Sequence, residues 1–152
     1  MRKSLKMESI NQIGIVVRNI EKTAKFLEQL FGIGPFQILE RAPEEIIYRG
    51  ERRTFQIRNG LARLGSVQLE LIEVVQGECC QADFLNRKGE GIHHLGFFVD
   101  DLDEALSTVK EKGVEVLQIG TAAGSIRWAY LDTEELLGIT LEFIQLGKSK
   151  KK

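Results

Sequence analysis

The stretch HLGFFVDDLDEALSTV, His94 to Val109, decides how the chain is read, because QIGIVVRNIEKTAKFL, Gln12 to Leu27, repeats its pattern. Each runs polar residue, aliphatic, Gly, two apolar residues, Val, a polar pair, an aliphatic and an acid. A second match joins VQLELIEV, Val67 to Val74, to ITLEFIQL, Ile139 to Leu146, through a shared aliphatic–Glu–apolar–Ile core. Self-similarity of this kind marks a duplicated structural unit. The first copy is longer by about ten residues between its matched segments, and the surplus is expected in RAPEEIIYRGERRT, Arg41 to Thr54.

Each copy opens with a short apolar run of strand character, INQIGIVV in the first and IHHLGFFV in the second. A helix follows. In the second copy Asp101 is the expected N-cap, with Glu104 three residues on as capping-box partner, and Gly113 marks the stop. In the first copy Asn19 is the cap, Ile20, Ala24, Leu27 and Phe31 form the apolar stripe, and Gly32 and Gly34 end it. Strand-like runs come next, PFQILE, EEIIYR, RTFQIR and SVQLELIEV in the first copy and VEVLQIG, IRWAYLD and GITLEFIQL in the second. Each unit therefore reads as strand, helix, then about three strands.

Side chains alternate across a strand. His94 then shares a face with Gly96, while His93 is expected on the opposite, helix-packed face with Leu95 and Phe97. Gln12 and Gly14 take the same face in the first copy. Glu70 and Glu142 occupy matching places in the two later strands. The duplication thus sets Gln12 against His94 and Glu70 against Glu142, inside strands otherwise built for burial. A buried carboxylate is costly unless it is paired or binds a cation, and one divalent ion would satisfy both glutamates.

Composition narrows the function classes. The formal net charge is −1, with 43% hydrophobic and 28% charged residues, so nothing global points to nucleic acid or an anionic membrane. No apolar run is long enough to span a bilayer. The basic start MRKSLKMESI lacks the apolar core of a secretory signal, and a cytoplasmic location is expected. The only cysteines, Cys79 and Cys80, are adjacent and are expected to be reduced. Residues 1–9 read as an extension, 10–146 as one domain built of repeats 10–76 and 90–146, and 147–152 as a basic disordered tail.

With these residues in hand, the chain resembles the vicinal oxygen chelate superfamily, which includes glyoxalase I, methylmalonyl-CoA epimerase, extradiol dioxygenases and the bleomycin and fosfomycin resistance proteins. The segment FLNRKGEGIHHLGFFVDDLDEALSTVKEKGV is most similar to the methylmalonyl-CoA epimerases, whose Gly-Ile-His-His segment uses the second histidine as ligand. The resemblance implies an α+β fold of two tandem βαβββ modules in one cupped mixed sheet, with helices on the outer face. It implies one divalent metal ion (Co, Mn, Ni, Mg or Zn) held by Gln12, Glu70, His94 and Glu142, and a homodimer. Glutamine stands at position 12 where the epimerases usually have histidine; an amide oxygen can still bind a cation. Thr54 stands where they carry a further catalytic glutamate, which leaves Glu44, Glu45 or Glu51 to supply a second acid.

The implied chemistry is proton abstraction next to a carbonyl, with Glu142 as the leading base and Glu70 as a second catalytic candidate. The segment from Arg41 to Arg63 carries six arginines against three glutamates, enough to grip a carboxylate or a CoA phosphate. Arg49, Arg53 and Tyr48 are the expected substrate contacts. Three functions fit: an epimerase acting on an acyl-CoA or similar carbonyl compound, a glyoxalase I-like lyase, and a non-catalytic small-molecule binder of the resistance type. A dioxygenase fits less well, because its iron takes two histidines and one carboxylate.

Overall fold

The computed structural model describes residues 5–122 and 125–147; residues 148–152 of the expected basic tail lie outside them. The chain runs β1 (Gln12–Val16), α1 (Ile20–Phe31), β2 (Gln37–Glu40), β3 (Glu44–Tyr48), β4 (Glu51–Leu64), β5 (Val67–Gly77), α2 (Cys80–Lys88), β6 (Gly91–Phe98), α3 (Leu102–Glu111), β7 (Val116–Thr121), β8 (Arg127–Leu131), α4 (Glu134–Leu137) and β9 (Thr140–Gln145). The helix caps follow the sequence. Asn19 Oδ1 accepts from the Lys22 amide and Asp101 Oδ1 from the Glu104 amide, each at 3.0 Å, and Gly32 closes α1 in the left-handed region at φ 64°.

The strands form one mixed sheet in the order β2-β4-β3-β7-β8-β9-β6-β1-β5, and β4 also pairs with β5. Two βαβββ units meet where β1 and β6 run antiparallel. Within each unit the first strand lies parallel to the last, β1 beside β5 and β6 beside β9. The second unit has the expected three strands after its helix; the first has four. The additional strand, β3, lies in the segment where surplus length was expected. It pairs with β4 on one side and, through Ile47 and Tyr48, with β7 on the other. Together with the β4–β5 pairing, this turns the cup into a closed ring.

The helices pack on the outside of the ring. Ile20 and Leu102, at the first turns of α1 and α3, are fully buried. Each contributes about 1.5–3 kcal/mol by leaving water. Ile20 and Ala24 sit on Leu71 of β5; Leu102, Ala105 and Leu106 sit on Ala129, Leu131 and Phe143 of β8 and β9. Two helices were not expected from sequence. Helix α2 is capped by an uncommon residue, Cys79, whose Sγ accepts from the Ala82 amide at 3.4 Å. Helix α4 is a single turn. Both cysteines are free and buried, and burial pushes the Cys80 thiol well up.

Candidate metal centre and its cavity

The seam between the units sets the site. In the ladders Gly14 of β1 lies across from Glu70 on one side and His94 on the other, and Gly96 of β6 lies across from Gln12 and Glu142. Each glycine is thus flanked by two of the four residues singled out in the sequence, and the missing side chains make room. A Cβ on Gly14 would come within 1.9 Å of His94 Cε1; one on Gly96 would lie 3.0 Å from Gln12 Cβ and 3.2 Å from Glu142 Oε1.

The structure brings Gln12, Glu70, His94 and Glu142 together. His94 Nε2 lies 3.0 Å from Gln12 Oε1, 3.3 Å from Glu142 Oε1 and 3.5 Å from Glu70 Oε1. Hydrogen bonds aim the amide and one carboxylate. Gln12 Nε2 donates to Gln68 Oε1 at 2.8 Å, so its oxygen must face inward. Arg41 Nε donates to Asn59 Oδ1 at 2.9 Å, which turns Asn59 Nδ2 toward Glu70 Oε2, also at 2.9 Å. An arginine has no acceptor, so the orientation of Asn59 is fixed by chemistry. Glu70 Oε1 is left facing His94.

These groups burden one another. Burial pushes Glu70 up to about 7, against the pull of Arg41 and the Asn59 hydrogen bond. Glu142 is raised well above the carboxylate range by burial first and by the charge of Glu70 second, with Tyr130 opposing. Burial, then His93, keeps His94 neutral. Glu142 Oε1 is buried and lacks any hydrogen-bond partner among the described residues; its approach to His94 is close but poorly aligned. An orphaned buried carboxylate oxygen has a definite cost.

A divalent cation would relieve all of this at once. Neighbouring donors around an ion with bonds of about 2.1 Å stand about 3.0–3.4 Å apart. The His94 distances to Gln12 and Glu142 fall in that range, and the distance to Glu70 is just beyond it. Among the described residues no group of three or more His, Cys, Asp or Glu side chains is by itself arranged to hold a metal ion; the amide oxygen of Gln12 would add a further donor to the imidazole and the two carboxylates. The residues fit an ion that takes three oxygens and one nitrogen, with open positions left for solvent or substrate.

The expectation for His93 needs correction. It does not point away from His94: the two Nδ1 atoms lie 3.0 Å apart. The cause is a β-bulge. Gly14 pairs with His94 but Ile15 pairs with Ile92, so His93 is the surplus residue, and a bulge breaks strict alternation of faces. His93 is 2% exposed, wedged edge-on against Phe84 and Tyr130. Burial pushes it down to about 4. As a neutral ring it can donate to His94 or accept from it, and so couples to the tautomer of its neighbour.

Gln12, Glu70 and Glu142 line a cavity of about 270 Å3, with His94 fully buried behind them. Phe55, Ile57, Phe98, Trp128 and Ile144 give it apolar walls, and Arg41, Glu44 and Tyr130 add polar groups. Tyr48, Arg49 and Arg53 do not line it. Tyr48 packs against the cluster of Ile46, Phe55 and Cys79. Arg49 donates through Nε to Tyr48 Oη at 3.2 Å, and Arg53 is tied to Glu51 and Glu78. The sequence reading missed Asn59 as a functional residue. Its available signal was a polar residue within an apolar strand, but Asn59–Gly60 also has the composition of a hairpin turn.

Comparison with known proteins places the chain in a family and supports its fold. A model of the Glyoxalase/Bleomycin resistance protein/Dioxygenase superfamily matches residues 11–130. The uncharacterized protein YqjC of Bacillus subtilis is 26% identical over 141 residues, 91% of this chain and 93% of that protein. Human mitochondrial methylmalonyl-CoA epimerase is 26% identical over 141 residues, 90% of this chain and 73% of that protein. A variant of Streptomyces coelicolor methylmalonyl-CoA epimerase, solved with 2-nitronate-propionyl-CoA, superposes with a TM-score of 0.73 at 20% identity, covering 97% of this chain and 100% of that one. The chain belongs to the Glyoxalase/Bleomycin resistance protein/Dioxygenase superfamily, also called the vicinal oxygen chelate superfamily.

Proposed function

We propose that the protein is a cytoplasmic, divalent-metal-dependent epimerase of the methylmalonyl-CoA epimerase type, which removes and returns a proton α to a carbonyl. The observation that carries this reading is the orphaned Glu142 Oε1, buried beside an amide oxygen, an imidazole nitrogen and a second carboxylate. Such a set is costly without a cation and well suited to one. A bound divalent ion would polarise the substrate carbonyl and stabilise negative charge on its oxygen.

The chain's own residues then divide the work. Glu142 takes the α-proton, since its Oε1 faces the site with no hydrogen-bond partner among the described residues. Glu70 stays a holder, because Asn59 fixes one of its oxygens. Returning the proton from the other face needs a second acid. Of the three glutamates open to this role, Glu44 lines the cavity and burial raises its carboxyl, with Arg41 opposing. Glu45 and Glu51 pair with Arg52 and Arg53 outside it. Phe55, Phe98 and Trp128 keep bulk water from the reacting carbon. A homodimer belongs to this reading, supported by Phe26, Leu30 and Phe31, which are 52%, 66% and 63% exposed on one helix.

The test is deuterium exchange. Metal-loaded protein with methylmalonyl-CoA in deuterated water should exchange the α-hydrogen, and Glu142→Gln should abolish it; no exchange with any divalent metal would reject the reading. The Gln12 amide in the donor set favours one second reading, a glyoxalase I-like lyase, which turnover of the methylglyoxal–glutathione adduct would establish instead.

A further inference from the structure

Of the six arginines between Arg41 and Arg63, Arg41 alone lines the cavity. Arg52, Arg53 and Arg58 are each tied to glutamates. Among the described residues no carboxylate lies within ion-pair distance of Arg41, although its charge is felt by Glu44 and Glu70 in the same cavity. Its Nε is occupied by Asn59 Oδ1 at 2.9 Å, and its backbone oxygen accepts from Gln56 Nε2 at 2.9 Å. The side chain is thus anchored at its middle and the backbone at its base, while neither terminal nitrogen has a hydrogen-bond partner among the described residues. A guanidinium with Nε spent and both Nη free presents a pair of donors to one planar anion.

The cavity limits what that anion is. About 270 Å3 lies at the small end of ligand pockets and is far too little for a whole coenzyme. The apolar walls offer little to a phosphate, which needs several donors, whereas a carboxylate on a short carbon chain is satisfied by one fork. Asn59 links the fork to Glu70, so an anion at Arg41 is joined to the candidate metal centre by two hydrogen bonds.

We infer that Arg41 is the anchor for a free carboxylate of the substrate, which makes the substrate a small acid, or the acidic acyl end of a larger carrier, with its reactive carbonyl directed at Glu142. This deepens the epimerase reading and rests on the same cavity being the substrate site. It sets Arg41, rather than Arg49 or Arg53, as the residue that selects acidic over neutral acyl groups.

Trp128, the only tryptophan, lines the cavity and reports occupancy by its fluorescence. The probe is malonate, titrated into zinc-loaded protein, with neutral malonamide as the comparison. Malonate should change the Trp128 signal saturably and malonamide should not. Arg41→Met should weaken malonate by about tenfold to a hundredfold, the usual loss for a charge-assisted contact. Arg41→Lys should keep part of the affinity, and Arg63→Met should keep all of it. Equal binding of malonate and malonamide by the wild-type protein overturns the inference without recourse to any variant. So does unchanged malonate affinity in Arg41→Met, which would assign the anion to the ion alone. Arg41-dependent malonate binding without deuterium exchange of methylmalonyl-CoA would keep the anchor and reject the epimerase. Exchange that survives Arg41→Met with unchanged KM would do the reverse.

Discussion

Glu142 is the residue on which the candidate site turns, because it is 4% exposed and one of its oxygens has no hydrogen-bond partner among the described residues. Glu142→Gln keeps the shape and removes the charge. The metal-free variant should be more stable than the metal-free parent by about 1–3 kcal/mol, the cost of an unsatisfied buried polar group. Added zinc should raise the parent's melting temperature and leave the variant's nearly unchanged; thermal melts with and without metal check both. His94→Ala should weaken metal binding far more than His93→Ala. The second change should cost about tenfold to a hundredfold, the usual effect of losing a partner behind a ligand; equal losses by calorimetry would reject the division of roles. The four converging residues were legible because the duplication pairs Gln12 with His94 and Glu70 with Glu142. Asn59 was not, because its composition signalled a turn. Glu44 was only one of three candidates, because no local pattern says which of several adjacent glutamates faces inward.

At the scale of elements, the strands and two principal helices follow from periodicity and caps, while the departures have local causes. The β6 bulge cannot be read from alternation, since one surplus residue restarts it. Helix α2 hides behind a cysteine cap and a short apolar stripe. It is held partly by ion pairs: Arg87 and Lys88 of α2 meet Glu134 of α4 at 2.9 and 3.1 Å. Arg87, then burial in opposition, then Lys88 set the Glu134 carboxyl, which ends at about 2. A carboxyl lowered in the folded state adds stability that is complete above its unfolded value near 4.5 and is lost as pH falls toward 2. Arg87 is partly exposed, so solvent reduces the contribution to about 1 kcal/mol. Glu134→Gln should therefore destabilise the protein at neutral pH by about that amount and flatten the acid limb of its stability curve. Denaturant midpoints measured between those two pH values test this, and identical limbs for parent and variant would refute it.

For the whole molecule, the repeat made the paired architecture legible, and the surplus length in the first copy pointed to the segment that became β3. What sequence could not give was its partner. Pairing of Ile47 with Ile119 and Tyr48 with Gln118 joins residues far apart in the chain, and no local pattern specifies such a contact. Its consequence is large: closure of the ring places Arg49 and Arg53 outside the cavity and leaves Arg41 lining it. The most direct test of the account is anomalous diffraction at the cobalt edge from crystals grown with cobalt. The account predicts a single strong peak within about 2.3 Å of Gln12 Oε1, His94 Nε2 and an oxygen of each of Glu70 and Glu142. A cobalt bound elsewhere, or none retained by the protein while Glu70 and Glu142 stay buried side by side, would contradict it.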